Sequence, residues 1–180
     1  MTGDDGYAGR LLAELLQRLG VAECVQWRLR RRPLTVADWR AIAGEDTGSM
    51  FEICARLGTR DFRLRRFGKL LGILYHGCDD VADARGTTAL GGGGAEDLRD
   101  GILTLPAALA SRDPRVAAMF RRPSNGDGAS LRERFREVLP EAERYLDGIA
   151  GDAVREARSH ATFPRELKTL VEHTRALSTA

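Results

Sequence analysis

Three aspartates stand at the end of an apolar segment near the middle of the chain. The run Asp79-Asp80-Val81-Ala82-Asp83 is followed eighteen residues later by Gly101-Ile102-Leu103-Thr104-Leu105-Pro106. On a helix, positions 79, 80 and 83 fall within an arc of about 100°, so the three carboxylates point the same way. Mg²⁺ prefers carboxylate oxygens and shares its remaining positions with water and phosphate groups. The trio therefore indicates a platform on which Mg²⁺ holds a diphosphate, with a solvated helix terminus as the alternative.

The segment before the aspartates has the pattern of a buried helix. Its apolar residues recur at helical spacing and are Phe67, Leu70, Leu71, Leu74 and Cys78. A second stripe beside them consists of Gly68, Gly72, Tyr75, Asp79 and Asp83. Each glycine lowers helix propensity by about 1 kcal/mol relative to alanine. Close packing of a neighbouring helix would explain that cost, and so would a long apolar ligand.

The neighbourhood of the aspartates carries a resemblance to a known family. The segment GKLLGILYHGCDDVADARG, the glycine-rich loop Gly91 to Gly94 and the segment EDLRDGILTLPAALA follow one another. Together they resemble the second aspartate-rich region of the trans-isoprenyl diphosphate synthases, the polyprenyl synthetase family. Further similarity covers Glu23-Cys24-Val25-Gln26, the stretch from 34 to 58, and the segments PEAERYLDGIA and FPRELKTLVEH. The resemblance therefore extends over most of the chain.

This resemblance implies an all-α fold, a helical bundle of the isoprenoid synthase type truncated at its N-terminal half. Residues 1–180 would form a single partial domain of that kind. Family members are usually much longer, and their N-terminal half carries a first aspartate-rich motif. Asp4 and Asp5 do not replace that motif, because they lack a third carboxylate. The resemblance also implies that Asp79, Asp80 and Asp83 bind Mg²⁺ as the cofactor.

Three positions depart from the family's pattern. Asp46 stands where the family has a diphosphate-binding lysine, His76 where it has glutamine, and Gly101-Ile102 where it has a lysine before the TLP segment. Because Asp46 reverses the sign of the charge near a phosphate site, it would repel an anion. We therefore do not expect this chain to catalyse prenyl transfer alone.

Candidates for the remaining substrate contacts lie along the same helix. Arg65 and Arg66 are candidates for diphosphate binding, because guanidinium groups hold phosphate oxygens in pairs. His76 could also donate to a diphosphate oxygen, and Gly72 and Tyr75 could line a prenyl chain. Each has a structural alternative: solvent-facing arginines at a helix start, a packed polar histidine, and small or aromatic residues packed against a neighbouring helix.

Two further acidic residues precede the TLP segment. Asp97 and Asp100 flank Arg99 in this stretch. They could add a water-mediated metal contact, or they could belong to an acidic loop before a helix.

Composition indicates a folded domain in a reducing compartment. Of 180 residues, 43% are hydrophobic and 30% are charged, which suffices for one core. The net charge of +2 does not suggest nucleic acid as a partner. There is no run of 18 apolar residues and no basic, apolar N-terminal segment, so we expect neither a membrane span nor a signal peptide. Cys24, Cys54 and Cys78 are odd in number and widely spaced, which favours reduced thiols in the cytoplasm.

Helical periodicity predicts an almost entirely α-helical chain with no strand. We expect helices at roughly 8–31, 35–57, 61–84, 104–111, 114–121, 129–147, 149–160 and 164–177. The breakers between them are Pro33, Gly58, the Gly86 to Gly94 loop, Pro114 and residues 123–128.

Two functional hypotheses follow from the motifs and their departures. In the first, the chain is a subunit or half-domain of a Mg²⁺-dependent trans-prenyltransferase that acts on isoprenyl diphosphates in isoprenoid or terpenoid biosynthesis, and a partner chain supplies the first aspartate motif. In the second, it is a non-catalytic regulatory or binding subunit descended from such enzymes. Both predict a protein partner or a homodimer, because half of a bundle leaves an apolar face exposed. A helical nucleic-acid binder that uses the arginine clusters is a third, less favoured alternative.

Overall fold

The structure, a computed structural model, describes residues 6–87, 93–124 and 126–179. Within those ranges the chain is all-α, as predicted, and contains no β-strand. The helices are α1 (Gly6–Arg28), α2 (Val36–Glu45), α3 (Thr47–Thr59), α4 (Arg65–Arg85), α5 (Gly94–Asp100), α6 (Leu105–Ala110), α7 (Pro114–Arg121), α8 (Asp127–Glu137), α9 (Leu139–His160) and α10 (Pro164–Ala176), before a 3₁₀ turn at Leu177–Thr179. Asp4, Asp5 and the predicted loop residues Gly91 and Gly92 lie outside the described residues.

Helix α4 is the centre of the bundle. It packs against α3, α9, α10, α2 and α6. Its predicted apolar face is buried, with exposures of 5% or less at Phe67, Leu70, Leu71, Leu74 and Cys78. Burying each such side chain stabilises the fold by about 2 kcal/mol. The segment that ends in the aspartates is therefore held rigidly on several sides.

The glycines of α4 allow α3 to approach it closely. A Cβ atom on Gly68 would lie 2.6 Å from the Phe51 carbonyl oxygen, and one on Gly72 would lie 2.6 Å from the Thr47 carbonyl oxygen. Both distances are too short for a side chain to fit without moving the backbone. Of the two explanations for this stripe, close helix packing is the one that the structure shows.

The predicted helix at 35–57 is wrong at one point, because two helices meet at Asp46. The backbone of Asp46 has φ −86° and ψ −105°, outside the helical region. Helix α2 begins with a capping box, in which the Thr35 hydroxyl accepts from the Asp38 amide and the Asp38 carboxylate accepts from the Thr35 amide. Apolar spacing continues through the break, so periodicity alone did not reveal it.

The break predicted near residue 148 is also wrong. Helix α8 ends at Glu137, and α9 runs without interruption from Leu139 to His160. Pro140 explains this position, because proline lacks an amide hydrogen and fits only the first turn of a helix. Gly148 stays helical inside α9, with no atom within 4 Å of its Cβ position.

Helix α5 was not predicted, because a glycine-rich sequence precedes it. It ends at Gly101, whose φ of 73° is readily adopted only by glycine. The Arg31 amide donates to the Gly101 carbonyl at 2.9 Å, which ties the α5–α6 connection to the end of α1. Gly86, with φ 85°, ends α4 in the same way.

A smaller core forms where α6, α7 and α8 meet. Its buried residues are Leu98, Ala107, Ala110, Val116, Phe120, Leu131 and Phe135. The three cysteines are free, and only Cys78 is buried. In the described part of the chain, no helix combines the length and apolarity that crossing a bilayer requires.

We expect Gly72→Ala to destabilise the protein by about 1–3 kcal/mol, because its methyl group would displace the α3 backbone. Gly20→Ala is the matched control, since nothing lies within 4 Å of that Cβ position inside α1. The control should gain about 0.5–1 kcal/mol through helix propensity. Urea unfolding of both variants tests the packing, and similar midpoints for the two would contradict it.

Candidate functional site

Asp80 is the buried centre of the aspartate motif. Its side chain is 8% exposed, and its Oδ2 atom accepts hydrogen bonds from Trp39 Nε1 at 2.8 Å and from the Leu105 amide at 2.7 Å. Burial raises the pKa of Asp80 to about 8, although the hydrogen bonds from Leu105 and Trp39 oppose the shift. Asp80 therefore links α4 to α2 and to the start of α6.

The TLP segment supplies one of these donors because it begins a helix. The Thr104 hydroxyl caps α6 by accepting from the Ala107 amide at 3.3 Å. The Leu105 amide, in the first turn, has no partner within the helix and donates to Asp80 instead. This contact explains physically why the aspartate motif and the TLP segment occur together.

Three more carboxylates surround Asp80, namely Asp79, Asp83 and Asp97. Asp83 Oδ2 accepts from the Gly93 amide at 3.0 Å. Burial, together with the negative charges of Asp80, Asp83 and Asp79, raises the pKa of Asp97 to about 6. The pKa of Asp79 is raised by burial and by Asp83, and that of Asp83 by burial and by Glu96. Because its pKa is about 8, Asp80 is largely protonated at neutral pH, and the other three carboxylates carry most of the negative charge of the cluster.

No cation compensates this acidic cluster within the described residues. None of its four carboxylates forms an ion pair with an arginine or lysine there. Among the same residues, no three acidic, histidine or cysteine side chains already converge as a metal-binding group. Asp97, which the sequence left as either a metal contact or an acidic loop, belongs to this cluster, whereas Asp100 pairs with Arg99 and Arg30.

His76 lies beside the acidic cluster at the junction of α2 and α3. Its Nδ1 atom is 2.9 Å from the Thr47 hydroxyl and 3.7 Å from Asp46 Oδ2. Burial lowers the pKa of His76, and the negative charges of Asp46, Asp79 and Asp97 oppose that shift. The ring is thus placed as a largely neutral group between the acidic cluster and Asp46.

Arg65 and Arg66 are not brought to the aspartates. They occupy the first turn of α4, about 20 Å from Asp79 along the helix axis. Arg65 Nε donates to Glu52 at 2.7 Å, and Arg66 pairs with Glu156 at 3.1 Å. Their role in diphosphate binding stays a prediction, and this placement puts it away from the aspartates.

Tyr75 and Gly72 both face α3. The Tyr75 ring lies 5.6 Å from the Phe51 ring, centroid to centroid. The space beside Gly72 is filled by the backbone of Thr47 and Gly48, so Gly72 does not line an open channel. For Tyr75, a role in contacting a prenyl chain stays a prediction.

An open apolar groove, which the sequence did not predict, lies nearer the start of α4. It has a volume of about 530 Å³ and runs between α3, α4 and α10. Its lining is almost wholly apolar and includes Met50, Phe51, Cys54, Leu64, Leu71 and Leu170. Residues from three helices form it, so no local pattern in the sequence could indicate it.

Comparison with known proteins relates this chain to solved structures by fold. No family model matches the chain, and no curated protein matches it. Heptaprenyl diphosphate synthase from Staphylococcus aureus superposes on 98% of the chain with a TM-score of 0.80 and 18% identity. A polyprenyl synthase from Caulobacter crescentus CB15, complexed with calcium and isoprenyl diphosphate, covers 94% of it with a TM-score of 0.81 and 23% identity. Geranylgeranyl pyrophosphate synthase from Lactobacillus brevis covers 99% with a TM-score of 0.79 and 19% identity.

These matches confirm the predicted helical fold of the isoprenoid synthase type. The chain spans only 61%, 58% and 61% of the length of the three matched structures, respectively. It therefore accounts for about three fifths of the fold that those proteins have.

We expect the stability of the protein to rise as the pH falls from 8.5 to 7. The folded pKa of Asp80, about 8, exceeds its ordinary value of 3.8, so the folded state binds more protons than the unfolded state in this window. The gain should be about 1 kcal/mol. His76 has a lowered pKa and acts in the opposite direction, but mainly as the pH falls through 6.5.

Urea unfolding at several pH values in chelator-treated buffer measures this dependence. Asp80→Asn should flatten it, whereas Asp127→Asn, at an exposed carboxylate whose pKa is lowered, should leave it unchanged. A slope that persists in Asp80→Asn would assign the titration to another group.

Proposed function

We propose that this chain is part of a Mg²⁺-dependent trans-prenyltransferase of the polyprenyl synthetase family, acting on isoprenyl diphosphates. The observation that carries this proposal is the uncompensated acidic cluster at the end of α4. It occurs in a chain that shares its fold, over 94% to 99% of its length, with prenyl diphosphate synthases. The cluster is where the aspartate motif and the TLP segment meet.

The carboxylates of this cluster suit a hard divalent cation. Asp79 and Asp97 have no hydrogen bond or ion pair from their carboxylates among the described residues, and Asp80 uses only Oδ2 for its two contacts. Burial is the main cause of the raised pKa values of Asp79 and Asp97, and the neighbouring carboxylates add to it. We propose Asp79, Asp80 and Asp83 as the residues that hold Mg²⁺, with Asp97 nearby. Bound Mg²⁺ would supply charge neutralisation for a departing pyrophosphate.

The other residues of the site would orient the substrate. When His76 Nδ1 accepts from the Thr47 hydroxyl, the proton lies on Nε2 and can be donated to a phosphate oxygen. Besides offering its Oδ1 atom to the cation, Asp80 would hold the end of α4 against α2 and α6 through the hydrogen bonds to Oδ2. Asp46 would disfavour an anion beside His76, so diphosphate binding would depend strongly on the cation.

We further propose that a protein partner completes the fold. The remaining two fifths, with the first aspartate motif, would come from a partner chain or from an arrangement within a homodimer. Helix α1 offers a surface for such contact, because Leu12, Leu16 and Trp27 are 56% to 64% exposed. The free cysteines suit a reducing cytoplasm, where we place the protein.

The alternative is a regulatory or binding subunit without turnover. The observation that favours it is Asp46, which places a negative charge 3.7 Å from His76 beside the acidic cluster. In that case, the carboxylates either bind Mg²⁺ without catalysing a reaction or have lost their ancestral function.

We expect Mg²⁺ with pyrophosphate to raise the melting temperature more than either alone, because a ligand that binds only the folded state stabilises it. Asp79→Asn should reduce this shift strongly and leave the fold intact, since Asp79 is only partly buried and makes no hydrogen bond with the described residues. Asp152→Asn, at an exposed pair with Arg155 on α9, is the matched control and should keep the full shift. An equal shift in both variants would place the binding elsewhere.

We expect the chain alone to show no condensation of an allylic diphosphate with isopentenyl diphosphate. Ionisation of the allylic substrate requires carboxylate clusters on both sides of the diphosphate, and this chain supplies one. With a partner that carries the first motif, activity should appear and should fall by at least about 10²-fold in Asp79→Ala.

Incorporation of radiolabelled isopentenyl diphosphate measures the activity of the chain alone and of the chain with its partner. Activity of the isolated chain would contradict the need for a partner. Partner-dependent activity that survives Asp79→Ala combined with Asp80→Ala would favour the regulatory alternative.

A further inference from the structure

Two large aromatic side chains project from the end of the bundle opposite to the acidic cluster. Phe62, before α4, is 60% exposed, and Phe163, before α10, is 67% exposed. The loops that carry them are neighbours, because one cleft of about 340 Å³ is lined by Gly58, Thr59, Arg63 and Leu64 from the first and by Ala161, Thr162, Phe163 and Leu167 from the second. Arg63 lines this cleft and also the adjoining one that Phe62 lines. The two rings therefore stand on one surface.

This surface is strongly basic, and we call it the basic end, formed by residues 60–66 and 158–168. These two segments contain seven arginines and lysines against two carboxylates, Asp61 and Glu166, which gives a net charge of +5. The whole chain has a net charge of +2, so the rest of the chain is net negative by three charges. Glu52, Glu156 and Glu172 from adjoining segments pair with three of these cations, so the local excess of positive charge is smaller than +5.

The cations of the basic end remain accessible in spite of their ion pairs. The Arg66 side chain is 73% exposed while paired with Glu156, and the Arg63 side chain is 55% exposed while paired with Asp61. Arg158 and Arg165 are also exposed and line a shallow depression together with Lys168. Exposed ion pairs of this kind are weak, so these cations can exchange partners at little cost.

The apolar groove opens at the same place. It shares Gly58, Thr59, Leu64 and Leu167 with the cleft between the two loops. The basic end therefore combines exposed rings, exposed cations and the mouth of an apolar groove.

We propose that the basic end docks on the surface of a lipid bilayer that contains anionic phospholipids. Arginine side chains would bind the headgroup phosphates, and Phe62 and Phe163 would enter the boundary between headgroups and acyl chains. Two apolar anchors beside a cluster of cations fit such a surface better than a nucleic acid, which offers phosphates but no apolar layer. The proposal goes beyond prenyl transfer and does not depend on it.

Vesicle co-sedimentation tests this docking with the full chain. Binding to phosphatidylcholine vesicles that contain ~30% phosphatidylglycerol should exceed binding to pure phosphatidylcholine by at least about tenfold, and should weaken as salt is raised. The double variant Phe62→Ser with Phe163→Ser should bind the anionic vesicles about tenfold less tightly. Because the Phe62 ring also lies against the guanidinium of Arg56, a thermal melt verifies the fold, and the single variant Phe163→Ser, which should also weaken binding, repeats the test without that contact.

Matched controls distinguish docking by the basic end from nonspecific hydrophobic adsorption and from nonspecific electrostatic attraction. Leu12→Ser with Leu16→Ser removes two equally exposed apolar side chains from α1 and should leave vesicle binding unchanged. Arg158→Gln with Arg165→Gln should weaken binding, whereas Arg121→Gln with Arg122→Gln, exposed elsewhere, should not.

Three outcomes would overturn the proposal. They are equal binding to neutral and anionic vesicles, unchanged binding in the phenylalanine double variant, and tighter binding to a duplex oligonucleotide that depends on the arginines but not on the phenylalanines. The last result would assign the basic end to nucleic acid.

Discussion

The Asp80 carboxylate accepts two hydrogen bonds, from the Trp39 indole of α2 and from the first-turn amide of α6, while it lies buried in α4. Three separate helices thus meet at one atom, Oδ2. Because an unpaired buried carboxylate or donor is costly, this contact sets the position of α2 and α6 relative to α4. Asp79, Asp83 and Asp97 lie around Asp80, so this structural contact also sets the geometry of the acidic cluster.

Among the described residues, a buried carboxylate is paired with cations near the start of α4, whereas those near its end are not. Near its start, the fully buried Glu52 carboxylate is neutralised by Arg18, Arg56 and Arg65. Near its end, the carboxylates of the acidic cluster have no such partners in the described part of the chain. They also lie toward the C-terminal end of the helix, where the backbone dipole disfavours negative charge. Stability alone does not account for this arrangement, whereas the proposed binding of a cation would.

Local patterns in the sequence were sufficient for the all-α class and for the buried face of α4, because both depend on helical spacing. The contact between the aspartates and the TLP segment was not predicted, because the resemblance gave only their order along the chain. The Trp39 bond to Asp80 was missed for the same reason, whereas the close packing beside Gly72 was one of two explanations that the sequence left open. Arg65 and Arg66 matched a phosphate binder by residue type alone, and the structure pairs them with Glu52 and Glu156. The start of α9 could have been predicted from Pro140, since proline is common in the first turn of a helix.

Charges near the two poles of α4, its N-terminal and C-terminal ends, respond differently to pH. Arginine stays protonated throughout the physiological range, so the positive pole is constant. Asp97 and Asp80 ionise with pKa values of about 6 and about 8, so the negative pole grows as the pH rises across neutrality. Electrostatic attraction of the chain to an anionic surface would therefore weaken as the pH rises across neutrality.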